Sequence, residues 1–237
     1  MSLKTDQLEI DVARWINRTS PDITTSRPAT SVSNSDVWLH REGYPPTWLE
    51  VKTDHRNNLS NPRMYYDGEW KSTYGMPSAK QAIHILNTSR QAKEFIRTLA
   101  LHAETTPEEL KLATNKAKTK HLPGYVDRDT MNEYFEVLGD QYIATESFFD
   151  IGSLVTQDML FRNVHYLQAA DDFYHVGHLN PLNLTKDIPL FEGEGDFRIR
   201  VAISSTRYEI QAELKVDHLQ ESAYSCLPNT DKINPFL

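Results

Sequence analysis

An aspartate and a Glu-x-Lys pair are the residues of this chain best suited to chemistry. Asp36 opens a short segment of alternating apolar residues, and Glu50 and Lys52 lie on the next such segment. Carboxylate oxygens are the ligands that hard divalent cations prefer, and an ammonium group beside them can hold an attacking water. Two carboxylates and one lysine at neighbouring strand ends therefore indicate metal-dependent hydrolysis of a phosphodiester.

The strand that carries the Glu-x-Lys pair has apolar residues on both of its faces. Leu49 and Val51 point to one side, while Glu50 and Lys52 point to the other, which Trp48 shares. Such a strand belongs inside a covered sheet, where a charged side chain needs a partner. Either a metal ion or the side chain of Asp36 would be a suitable partner. The alternative is a half-buried salt bridge between Lys52 and one of the two carboxylates, without catalysis.

The elements that must position these residues follow from hydrophobic periodicity. Apolar residues at helical spacing predict a first helix, on which Glu9 lies beside the apolar stripe and offers a third carboxylate. Short alternating runs predict three strands after it. The ranges are 6–18 for the helix and 23–30, 36–40 and 47–53 for the strands.

The residue patterns in the remainder of the chain predict mainly helices at first and mainly strands toward the C-terminus. A polar loop is expected over 54–77, followed by helices at 78–103, from 106 onward and at 130–138. Strands are expected at 141–149, 164–169 and 173–176, with a hairpin formed by 197–203 and 208–216, and an exposed or docking tail at 228–237. The fold class is α/β with a mixed sheet. The expected division is a core with a helical insert at 1–139 and a strand-rich part at 140–237. The second part would either complete the sheet or form a recognition or dimerisation part of the same domain.

A second aspartate and Glu-x-Lys set occurs near the C-terminus. Asp196 is followed by Glu213 and Lys215, but the strand also carries Glu209 and Gln211 on the same face. Polar residues at every alternate position are typical of a solvated hairpin face. The first set is therefore the better candidate.

The polar stretch after Lys52 is the best candidate for contact with a nucleic acid. Arginine and lysine neutralise phosphates, and asparagine can read base edges. The alternative is an ordinary polar surface loop. The candidate contacts are Arg56, Asn57, Asn58, Arg63 and Lys71.

The arrangement of Asp36, Glu50 and Lys52 on a helix–strand–strand–strand–helix order resembles the PD-(D/E)XK nuclease superfamily, which includes many restriction enzymes. The resemblance covers roughly residues 6–103 and implies a restriction-endonuclease-like αβββα core. Ser35 stands where the family name has proline.

The resemblance implies that Asp36 and Glu50 bind Mg²⁺, for which Mn²⁺ would substitute, and that Lys52 orients or activates water. A backbone carbonyl near Val51 would complete the metal's ligands, and Glu9 would match the first-helix acid of many members. The implied activity is that of a DNA endonuclease, and site-specific cutting of the restriction or phage type is compatible with it. The implied partner is DNA, and such proteins often pair as homodimers to cut both strands.

Composition limits the other function classes. The chain has 33 acidic and 25 basic residues, a net charge of −8, which argues mildly against a nucleic-acid coat protein. Its single cysteine, Cys226, and the lack of a signal-like or membrane-spanning run lead us to expect a cytoplasmic protein without membrane contact. No phosphate-binding loop or serine-hydrolase motif occurs. The alternative function is a non-catalytic binding or assembly protein.

Overall fold

The computed structural model describes residues 3–26, 36–55, 58–72, 74–112, 124–138, 142–148, 150–228 and 230–237. These residues form a mixed α/β fold with two sheets, which confirms the predicted class. None of the described helices is long and apolar enough to cross a bilayer. In chain order the elements are α1 (Leu3–Thr19), β1 (Ile23–Ser26), β2 (Val37–Arg41), β3 (Thr47–Lys52), β4 (Asn58–Ser60), β5 (Arg63–Asp67), β6 (Trp70–Ser72), α2 (Pro77–Thr88), α3 (Arg90–His102), β7 (Lys111–Leu112), α4 (Arg128–Leu138), β8 (Tyr142–Phe148), α5 (Ile151–Phe161), β9 (Val164–Ala169), β10 (Asp172–His175), β11 (Gly193–Ile203) and β12 (Tyr208–Leu219).

The chain divides into two compact units that are interleaved in sequence. Unit 1 comprises 1–57, 150–194 and 216–237, and unit 2 comprises 58–149 and 195–215. These boundaries differ from the division at residues 139 and 140 that the sequence suggested. Unit 2 is inserted into unit 1 along the chain, so strands from before and after the insertion build the same sheet.

Unit 1 contains a five-stranded sheet in the order β1-β2-β3-β9-β10. The first three strands form an antiparallel meander, and β9 lies parallel to β3. The predicted helix and three strands are confirmed as α1 and β1 to β3. Residues 27–30 of the expected first strand lie outside the described part of the chain. Their core comprises Val12, Ile16, Ile23, Val37, Leu39, Leu49, Val51, Tyr166, Phe173, Leu182, Leu184, Ile188, Tyr224, Cys226 and Phe236.

Helix α5 packs against β9 and was not predicted from the sequence. Its residues are apolar on nearly all sides, so they lack the one-sided stripe of a surface helix. Asp150 gives the helix its start, because its carboxylate accepts a hydrogen bond from the Ser153 amide at 2.9 Å. A Cβ atom at Gly152 would lie 2.6 Å from the Gly193 nitrogen, so glycine permits this close backbone approach.

Unit 2 contains a seven-stranded sheet, with β6-β5-β12-β11-β8 as its main path. The hairpin of β11 and β12 was predicted, but two expectations for this unit are wrong. Within the polar stretch 54–77, residues 58–60, 63–67 and 70–72 form the strands β4, β5 and β6, where a loop was expected. The single helix at 78–103 is two helices, because Ser89 is extended and its hydroxyl caps α3 by accepting from Ala92.

Two further predictions concern the helix expected from residue 106 onward and the tail at 228–237. The helix expected from residue 106 onward is wrong where it is described, since a turn there leads into β7. The tail at 228–237 docks on unit 1. Ile233 bridges to Tyr224, and Phe236 joins the core with 3% of its surface exposed.

Candidate functional site

The pairing of β2 with β3 brings Asp36 beside Glu50. Val37 lies opposite Leu49 in this antiparallel ladder, so the preceding residue, Asp36, reaches the position next to Glu50. The Asp36 carboxylate accepts a hydrogen bond from the Val51 amide at 2.7 Å. The two carboxylates that the sequence singled out therefore meet at one end of the meander.

Glu50 is buried and lies between two cations. One carboxylate oxygen is 2.6 Å from Lys52 Nζ, and the other is 3.1 Å from Arg162 Nη1. Burial alone would raise the pKa of Glu50, but Lys52 and Arg162 outweigh it and lower the pKa to about 2. Burial likewise lowers the pKa of Lys52, and attraction to Glu50 and Asp36 reverses this, so the net shift is upward. Both groups are charged at neutral pH.

Asp36 has the opposite electrostatic environment. Burial raises its pKa most strongly, repulsion from Glu50 adds to this, and the attraction of Lys52 and the Val51 amide only partly opposes it. Repulsion from Glu9 raises it further. The resulting pKa is about 7. The carboxyl group on which a metal site would depend is thus hindered from ionising near neutral pH.

Glu9 belongs to the same electrostatic group. It lies on the same face of α1 as Val12 and Ile16, which are buried in the core, and it is itself only 3% exposed. Glu9, Asp36 and Glu50 do not, however, form a closed set of ligands. In the described part of the chain their carboxylate oxygens do not all lie within 4.8 Å of one another.

Arg162 is a site residue that was not predicted from the sequence. It caps the C-terminus of α5, and the next residue, Asn163, has a positive φ of 61° that turns the chain sharply into β9. The Asn163 carbonyl accepts from the Trp48 amide at 3.2 Å, which ties this turn to the start of β3. The charge of Arg162 was visible in the sequence, but the helix that it caps was not predicted, and its partner Glu50 lies 112 residues earlier.

The predicted DNA contacts that are described belong to unit 2 and have partners there. Asn58 accepts from the Leu214 amide, Arg63 pairs with Glu209, and Lys71 pairs with Glu69. Arg56 and Asn57 lie outside the described residues. From Asn58 onward, this stretch therefore forms strands of a sheet and not the loop that was expected after Lys52.

A second group of possible metal ligands lies close to the end of β3. His55, Asp171 and Asp172 each offer a ligand atom, and these atoms lie within 4.8 Å of one another, so the group could hold a metal ion. Lys232 Nζ is already 2.6 Å from Asp172 and 3.2 Å from Asp171. A metal ion bound here would have to displace that ammonium group. This group left no signal in the sequence, because His55 lies far along the chain from the two aspartates.

The pKa of Asp36 leads to a prediction about metal binding. Since a metal ion requires the ionised carboxylate, binding should release about one proton per ion at pH 6 and almost none at pH 8.5, and affinity should rise through pH 7. Titration calorimetry of Mn²⁺ in buffers with different ionisation enthalpies measures this release. The His55→Gln variant should behave in the same way. Loss of the proton release in that variant would place the ion at the His55 group instead.

No family model matches the chain, and no match was found among curated proteins or among solved structures.

Proposed function

We propose that the chain is a divalent-metal-dependent DNA endonuclease, with Asp36, Glu50 and Lys52 at its active site. The observation that carries this proposal is the charge balance of the buried site. Burial together with repulsion from Glu50 and Glu9 outweighs the attraction of Lys52, so the Asp36 carboxyl group is hindered from ionising. One further positive charge would allow Asp36 to ionise at neutral pH, and a carboxylate donor set suits Mg²⁺ or Mn²⁺.

The topology of unit 1 gives additional support. The order helix, antiparallel meander, helix and parallel strand is compatible with a PD-(D/E)XK core when α5 supplies the second helix. The helix at 78–103, which the sequence suggested for that role, belongs to unit 2. The resemblance is thus better accommodated by the discontinuous unit 1 than by residues 6–103.

Each site residue has a distinct role in the proposed hydrolysis. Asp36 and Glu50 would hold the cation, with Glu9 adding negative charge nearby. A bound Mg²⁺ would polarise the phosphate and lower the pKa of a water ligand. Lys52, whose side chain is 20% exposed, would hold and orient the attacking water. Arg162 keeps the Glu50 carboxylate in place and offsets part of its charge.

The alternative is a non-catalytic binding or assembly protein. The observation that favours it is that Lys52 and Arg162 already neutralise Glu50, as in a structural ion-pair network. A purely structural network, however, has no need for Asp36 next to Glu50. A strongly shifted pKa caused by burial and a like charge is more typical of functional sites.

Cleavage of plasmid DNA tests the proposal directly. Supercoiled plasmid incubated with the protein and Mg²⁺ or Mn²⁺ should be converted to nicked or linear DNA, and EDTA should abolish the conversion. Direct formation of linear product would indicate two paired copies, since each site cuts one strand. Intact supercoiled plasmid at high protein concentration with either metal, using several unrelated sequences, would favour the non-catalytic alternative.

A further inference from the structure

The polar face of the sheet in unit 2 is not the solvated hairpin face that the sequence suggested. Along β12, Ile210, Ala212 and Leu214 are buried in the core of the unit, and the alternate residues point to the opposite face. Those alternate residues, Glu209, Gln211 and Glu213, are each at most 9% exposed. A hairpin face with three polar side chains this buried needs partners from neighbouring strands.

The partners are cations, and each buried glutamate has two of them. Glu209 is 3.2 Å from Arg63 on β5 and 3.0 Å from Arg207, which precedes β12. Glu213 is 2.7 Å from Arg200 on β11 and 3.7 Å from Lys215 on its own strand. Each set of three side chains therefore carries a net charge of +1.

The carboxylates lie at the base of these sets and the cations at their surface. The side chains of Glu209 and Glu213 are 11% and 6% exposed, whereas Arg207 and Lys215 are 48% and 42% exposed. The neutralising role requires only one cation for each carboxylate, and buried ion pairs contribute little net stability. The second, outer cation of each set is thus in excess of what the fold needs.

Polar side chains on β11 continue this pattern on the same face. Arg198 pairs with Asp196 and lies over the ring of Tyr142, and Gln211 accepts a hydrogen bond from Asn61 between the two sets. In these ion pairs five cations stand against three carboxylates, Glu209, Glu213 and Asp196, although the whole chain has a net charge of −8. Positive charge with fixed orientation is concentrated here.

We propose that this face, defined by Arg63, Arg198, Arg200, Arg207 and Lys215, binds the phosphate backbone of duplex DNA. Glu209 and Glu213 are four residues apart on one strand, or about 13 Å, so the two cationic sets can contact separate phosphates of one duplex. Planar guanidinium groups held by buried carboxylates suit bidentate contact with phosphate oxygens. The assignment of DNA as the occupant rests on the proposed nuclease function.

The test removes the outer cation of each set and keeps the inner one. In the full chain carrying Arg207→Gln and Lys215→Gln, Arg63 and Arg200 still neutralise the two glutamates, so the fold should persist. Fluorescence anisotropy with a labelled 20-base-pair duplex, in Ca²⁺ and separately in EDTA, gives affinity as a function of salt. We expect binding weaker by on the order of tenfold at 0.1 M salt and a log–log salt slope shallower by about 2.

The matched control carries Lys93→Gln and Arg97→Gln on α3, which changes the net charge equally. It should bind like the unaltered protein, and the conservative Arg207→Lys with Lys215→Arg should retain most binding. Equal losses in the two neutralised proteins, or no loss in either, would overturn the proposed surface. So would tighter binding of single-stranded RNA of the same length.

Failure of the nuclease proposal would look different. If plasmid stays intact but the Arg207 and Lys215 changes selectively weaken duplex binding, the surface stands and the active-site assignment falls. If plasmid is cut and the same changes leave binding unaltered, the nuclease proposal stands and DNA is held elsewhere. Circular dichroism melting of each variant shows whether a loss reflects unfolding, and the conservative pair then decides the outcome.

Discussion

Replacing Asp36 with asparagine should abolish metal-dependent cleavage and, at the same time, make the metal-free protein more stable at pH 8. Loss of a carboxylate that holds the cation should lower the cleavage rate by at least about a hundredfold to a thousandfold, as for other groups that stabilise transition-state charge. The gain in stability arises because the introduced amide keeps an oxygen that accepts from the Val51 amide, while the charge that Glu50 and Glu9 repel is removed.

The sign of the pH dependence makes this prediction specific. Burial and neighbouring acids raise the pKa of Asp36 from 3.8 to about 7, so its contribution to stability is fully present below 3.8 and is lost as pH rises from there through 7. In EDTA, the Asp36→Asn protein should therefore melt only modestly above the unaltered protein at pH 5 and clearly above it at pH 8. Thermal melts at the two pH values measure the difference.

A matched change on the same unit serves as the control. Asp11 lies on α1, is partly exposed and pairs weakly with Arg14 at 4.0 Å. Asp11→Asn should leave cleavage unchanged and give the same small shift in melting temperature at both pH values. A lower melting temperature of Asp36→Asn at pH 8 would contradict the account of a repelled carboxylate.

The part of the site that could be predicted from the sequence is the part built by short-range patterns. The alternation of β2 and β3 and the period of α1 place Asp36, Glu50, Lys52 and Glu9 together, because a meander joins neighbours in the chain. Strand alternation also showed that Glu50 and Lys52 would need partners. The salt bridge between them was in fact the stated alternative to a metal site.

The part that could not be predicted depends on distant pairing. Helix α5 has no one-sided apolar stripe, so periodicity carried no signal for it and Arg162 was missed. The short polar strands β4 and β5 exist because β12, from far later in the chain, pairs with them. Glu209 and Glu213 looked solvated because their inner cations, Arg63 and Arg200, come from other strands. The insertion of unit 2 into unit 1 was missed for the same reason, because β3 pairs with β9 from far later in the chain.

Substitution of Lys52 should separate the effect on metal binding from the effect on catalysis. Lys52→Met removes the ammonium group and leaves Glu50 with Arg162 alone, so the site becomes more negative by one charge. Affinity for Mn²⁺ should then be retained or increased, because a cation now relieves more repulsion. Cleavage should nevertheless fall by about a hundredfold to ten-thousandfold, the range typical of a lost proton-transfer or water-orienting group.

The comparison with Lys52→Arg identifies what the lysine contributes. Arginine restores the charge but replaces a compact ammonium group with a planar fork, so thermal stability should return while cleavage recovers only in part. Calorimetry with Mn²⁺ and single-turnover cleavage under saturating metal measure the two quantities separately. If Lys52→Met loses metal affinity and activity in equal proportion, Lys52 only shapes the metal site. If Lys52→Met cleaves at the normal rate, Lys52 and Glu50 form a structural ion pair, and the water-orienting role assigned to this lysine is wrong.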